Sequence, residues 1–115
     1  MIHAINNNDN EYSIVMTAVY DRDTAKLIAR VLVEKKLAAC VQIFPIDSIY
    51  TWNDEITEEM EYALHIKSKT SLFRIIKSEI EENHPYKIPE IIQVPITMGA
   101  QDYLLWIGGA TLPYE

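Results

Sequence analysis

Residues Ser13 to Tyr20 read SIVMTAVY, β-rich and almost wholly apolar, as expected of a central strand covered on more than one side. The period then changes. Asp23 is placed to cap a helix over Thr24 to Lys36, with Leu27, Ile28, Val31 and Leu32 on one apolar stripe and Arg22, Lys26, Arg30 and Glu34 outside it. Lys35 and Lys36 fall in its last turn, where positive charge suits the helix dipole. Ala39 to Trp52 predicts a second strand, and Pro45 within it demands an edge position, a bend or a bulge. Asn53 and Asp54 tolerate positive φ, so the chain turns back there as a hairpin. From Glu55 the alternation is strong: Ile56, Met60, Tyr62, Leu64 and Ile66 point one way, and Glu55, Glu59, Glu61, Ala63, His65 and Lys67 the other. Thr70 or Ser71 starts a second amphipathic helix that turns Leu72, Phe73, Ile76 and Ile80 inward and ends near Asn83, where His84 and Pro85 stop it. Ile91 to Ile96 is a short strand and Gln101 to Ile107 a short last helix.

The order βαββαβ plus a helix predicts an α+β, ferredoxin-like two-layer sandwich with a long hairpin and a short C-terminal helix. Residues 13–115 form the single domain, and residues 1–12, rich in asparagine, form a flexible arm. A net charge of −7 makes nucleic acid and anionic membrane poor partners. Cys40 is the only cysteine, which excludes an intrachain disulfide and a structural zinc cluster; with no secretory leader or spanning stretch, a cytoplasmic protein is expected.

Each hairpin arm, residues 39–52 and 55–68, reaches roughly 46 Å at about 3.3 Å per residue. A compact chain of this length makes a sphere only roughly 35 Å across, from a radius of gyration near about 13 Å. The distal hairpin nevertheless carries Ile49, Tyr50, Trp52, Ile56 and Met60, and burying three of them is worth on the order of 5 kcal/mol. A homo-oligomer with Tyr50, Trp52, Ile56 and Met60 in its interface follows. The alternative is that Pro45 bends the tip back over its own sheet.

Candidate chemistry is sparse. His84 and Tyr86 lie in a loop stiffened by Pro85 and Pro89, able to position a ligand or simply to end the helix. Of the acidic residues from Asp54 to Glu61, Glu61 stands nearest the body, with Lys67 on the same face as its candidate partner. Cys40, Met16 and Met98 are soft donors that more often serve as packing. Tyr103 and Trp106 share a helix face suited to docking the last helix onto the sheet or onto a neighbour. There is no phosphate loop, nucleophile elbow or His-Glu-x-x-His, and an acylphosphatase-type enzyme would lack its arginine cradle; a non-enzymatic protein is expected.

From Ser13 onward the chain resembles the CutA family of divalent-cation tolerance proteins. The resemblance rests on Leu37-Ala38-Ala39-Cys40-Val41, on Ser48 to Trp52, on Glu61 with Ile66-Lys67, on His84-Pro85-Tyr86 with Pro89-Glu90, and on Tyr103-Leu104 with Trp106. It implies a homotrimer whose hairpins clasp their neighbours and a role in copper or other divalent-cation tolerance. It also implies a likeness to PII signalling proteins, hence a small-ligand cleft near Glu61, Lys67, Tyr86 and Glu90. Of the ligands the family offers copper, Met16 stands in place of a cysteine and Asn83 in place of a histidine, which leaves His84 and implies weak binding.

Overall fold

The computed structural model describes residues 4–6 and 11–113. Its elements are β1 (Ala4–Asn6), β2 (Tyr12–Val19), α1 (Arg22–Glu34), β3 (Cys40–Trp52), β4 (Glu55–Lys69), α2 (Phe73–Asn83, entered through a 3-10 turn at Thr70–Leu72), β5 (Ile92–Pro95), β6 (Met98–Ala100) and α3 (Gln101–Gly109). The main sheet runs β3-β4-β2-β5, all neighbours antiparallel, which is the ferredoxin-like arrangement. Of the arm ahead of Ser13, Ala4–Asn6 pairs with Met98–Ala100 as a separate two-stranded ribbon, and β2 already begins at Tyr12; residues 1–3 and 7–10 lie outside the described residues.

Helices α1 and α2 cover one face of the sheet. Val15, Val19, Leu64 and Ile66 meet Ile28, Leu32, Ile76 and Ile80 there, all of them almost completely buried. The other face is closed only at one end, where α3 seats Leu104 and Ile107 against Tyr12. It is this pair that docks α3, whereas Tyr103 and Trp106 pack on one another with ring centres 5.6 Å apart and stay partly exposed. The aromatic pair was expected to dock the helix onto the sheet or onto a neighbour, and on this chain's own sheet Leu104 and Ile107 take that place; both pairs repeat every three residues, and spacing alone does not say which is turned inward.

Two boundaries differ from expectation in the first crossover. Helix α1 starts at Arg22 with Asp21, not Asp23, at its N-cap, and its buried stripe is Ala25, Ile28 and Leu32 while Leu27 is exposed. It also ends at Glu34, short of Lys36, which adopts φ 58° and lets Leu37 N–H return to the Leu32 carbonyl at 2.9 Å.

The hairpin is one uninterrupted ladder from Cys40 opposite Lys67 to Trp52 opposite Glu55. Pro45 sits within β3 opposite Tyr62 without breaking it, because β3 is the sheet edge, where a missing donor is tolerated. Asn53 and Asp54 close the turn at φ 50° and 63°. The tip therefore stands away from the sheet: the molecule measures 52 Å along its long axis against 25 and 21 Å across, with a radius of gyration of 15.1 Å.

Candidate functional site

Strict alternation along β4 turns Glu59, Glu61, Ala63 and His65 toward the face the helices leave open, with Ser48, Tyr50 and Trp52 beside them across the ladder from β3. The opposite wall is the connection after α2. His84 fixes its course. Its Nε2 lies 2.8 Å from the Ala18 carbonyl, which can only accept, so Nε2 carries the proton, and Nδ1 accepts the Tyr86 backbone N–H at 3.2 Å. Both nitrogens of the neutral imidazole are thus committed. Burial holds its pKa below the ordinary histidine value, outweighing the Ala18 bond and the Glu61 charge, which pull the other way.

The ring of Tyr86 lies edge-on to His84 at 4.7 Å and stacks on Tyr20 at 6.3 Å, which aims its hydroxyl across the gap. That hydroxyl donates to Oε2 of Glu61 at 2.7 Å. Glu61 is only 7% exposed, and the bond supplies one of the partners that a carboxylate so placed requires. A second phenol–carboxylate pair stands further out, Tyr50 donating to Glu59 at 2.5 Å. Burial and the Glu61 bond push the Tyr86 phenol far above its ordinary pKa; the Glu59 bond, then burial, push Tyr50 up to about 12. Both phenols keep their protons at neutral pH. Between the two walls lies a cavity of about 630 Å³, bounded by the two pairs, Trp52 and Ile88, with Ala18, Ser48 and Ile49 completing it and Lys87 and Glu90 at its margin.

Of the residues expected at a ligand cleft, Glu61, Tyr86 and Glu90 come together here. Lys67 does not. It is six residues along β4 from Glu61, and its ammonium lies 5.4 Å from the centre of the Tyr103 ring. The expected Glu61–Lys67 pairing gives way to the Glu61–Tyr86 bond because an extended strand separates the two charges by roughly 20 Å. The soft donors are likewise dispersed: Met16 sits opposite His65, Cys40 opposite Lys67, and Met98 is exposed on β6. Asn83 donates its side-chain amide to the Glu79 carbonyl at 2.9 Å. Among the described residues no three His, Cys, Asp or Glu side chains are grouped to hold a metal ion.

Sequence reasoning assigned Tyr50 and Trp52 to an interface and left out Glu59, Ser48 and Ile88. The signal was present for the first two residues on β3 and for Glu59, since alternation already put all three on the face of Glu61; only the fold of the loop brings Ile88 to them.

The comparisons with known proteins agree on one family. Residues 13–110 match the family described as CutA1 divalent ion tolerance protein. The divalent-cation tolerance protein CutA of Thermus thermophilus is 41% identical over 95 residues, covering 82% of this chain and 92% of that protein. The chloroplastic CutA of Arabidopsis thaliana is 38% identical over 85% of this chain and 54% of its own length. Among solved structures, CutA1 from the psychrotrophic bacterium Shewanella sp. SIB1 superimposes with a TM-score of 0.86 at 39% identity, covering 90% of this chain and 97% of that one. With the match spanning nearly the whole domain, and the fold and sequence pointing the same way, the chain belongs to the CutA1 divalent ion tolerance protein family.

Proposed function

We propose that this CutA1 protein acts in divalent-cation tolerance as a non-enzymatic homotrimer in the cytoplasm. The observation that carries the assembly is the outward face of the distal hairpin, where Ile56 is 80% exposed, Ile49 67% and Met60 51% on a ribbon that its own sheet does not reach. Such a ribbon is marginal in water unless something covers it, and symmetric copies supply the cover. Light scattering at micromolar concentration tests this: the expected mass is about 40 kDa, three times the 13.3 kDa chain, and 13.3 kDa overturns it.

Metal binding has a restricted place in this reading. Coordination at His84 Nδ1 displaces the Tyr86 N–H, and a single imidazole holds a divalent ion weakly. Calorimetric titration with Cu²⁺ is expected to give weak heats that fall further in His84→Ala; tight binding that survives the substitution moves the metal elsewhere. A second reading is favoured by the cavity itself. A half-open cleft between two phenol–carboxylate pairs suits a small ligand through which the trimer reports to a partner protein, as in a regulatory scaffold.

A further inference from the structure

We infer that the cavity between the hairpin and the loop after α2 takes an organic cation, an ammonium or amidinium group carried on an apolar or aromatic body; this rests on the reading of that cavity as a ligand site.

The argument is one of valences. The Tyr50 and Tyr86 hydroxyls spend their protons on Glu59 and Glu61, so the free positions on these four groups are all lone pairs. Glu61 matters most. It is 7% exposed, lines the cavity, and hydrogen-bonds through Oε2 alone, leaving Oε1 without a donor among the described residues. That oxygen is reached from the cavity and free to accept, and a charged N–H makes the strongest bond to a carboxylate. Three aromatic residues, Tyr50, Trp52 and Tyr86, wall the same space, and aromatic rings attract positive charge.

A bare metal ion fits poorly. Calcium needs six to eight oxygens at about 2.3–2.6 Å, whereas the cavity is about 630 Å³ and bordered by Ile49, Ile88 and aromatic carbon. An anion meets Glu59, Glu61 and Glu90 against the single ammonium of exposed Lys87. An organic cation satisfies the carboxylates and the apolar walls together.

Calorimetry on the assembled full chain with three benzyl probes tests this: benzylammonium, neutral benzyl alcohol and anionic phenylacetate. Expected are saturable binding of the ammonium at least about ten-fold tighter than the alcohol, and none of phenylacetate. Glu61→Gln is expected to weaken the ammonium about ten-fold while leaving the alcohol unchanged. Glu59→Gln and Trp52→Ala, checked for folding by circular dichroism, stand in should Glu61→Gln fail to fold, each expected to weaken the ammonium several-fold. Equal binding of ammonium and alcohol overturns the cation while keeping a ligand cavity; no saturable binding, or binding indifferent to these substitutions, overturns both. Sedimentation of the same samples separates this from the assembly: a trimer that ignores the ammonium sinks only the ligand, and a monomer that binds it sinks only the trimer.

Discussion

At Tyr86 a single oxygen joins two elements that share no backbone bond, the loop after α2 and the middle of β4. Tyr86→Phe leaves the Glu61 carboxylate buried without that donor, at a cost of about 2 kcal/mol in urea denaturation. A double-mutant cycle with Glu61→Gln isolates the bond, because the combined loss is expected to fall short of the two single losses added. The same cluster sets two pH limits. His84 has its folded pKa depressed, so the unfolded chain takes up the proton first on acidification; its stabilising effect is complete above about 6.5 and is lost as pH falls through the folded pKa. For Tyr86 the folded pKa is raised, so stability is complete below about 10 and declines above it, where only the unfolded phenol ionises. Denaturation midpoints of wild type and His84→Gln are expected to converge below pH 6, and those of wild type and Tyr86→Phe above pH 10. A wild-type advantage that stays constant across both limits contradicts the assignment.

Element boundaries turn on conformations that single residues adopt at some cost. Lys36 takes φ 58° at the end of α1, a region where a side chain collides with its own backbone and glycine does not. Lys36→Gly is therefore expected to stabilise the fold by about 0.5–1 kcal/mol, and Lys36→Val to destabilise it, both measured by thermal melting. Nothing in the hydrophobic pattern marked this position, and the helix was carried two residues too far as a result. The β-hairpin was legible for the opposite reason: alternation over Glu55–Lys69 is long, and Asn53-Asp54 is a turn pair whose positive φ is part of its chemistry. The β1–β6 ribbon escaped notice because three-residue strands carry too little periodicity to detect. The site divides along the same line. Glu61, Tyr50 and Trp52 share a face by alternation alone, but the Tyr86–Glu61 bond depends on where the Pro85–Pro89 loop crosses the sheet, a matter of tertiary path that no local pattern encodes.

For the whole molecule the two faces of the hairpin separate two properties. Ile56 and Met60 lie on the helix side of the ribbon and outside the cavity lining, while Tyr50, Trp52, Glu59 and Glu61 lie on the cavity side, since paired positions on an antiparallel ladder share a face. A charge placed on the first face should break the assembly without touching the cavity. Ile56→Asp puts a carboxylate where the proposed trimer buries an apolar side chain, a loss of about 2 kcal/mol per subunit from burial alone and more from desolvating the charge. It is repeated three times by symmetry, so micromolar Ile56→Asp is expected to sediment at 13.3 kDa. Mass action adds a second signature: the wild-type melting temperature should rise with protein concentration and that of Ile56→Asp should not. If Ile56→Asp keeps the wild-type mass and concentration dependence, the exposed ribbon face is not where the subunits meet, and the 52 Å extension of the chain needs another partner.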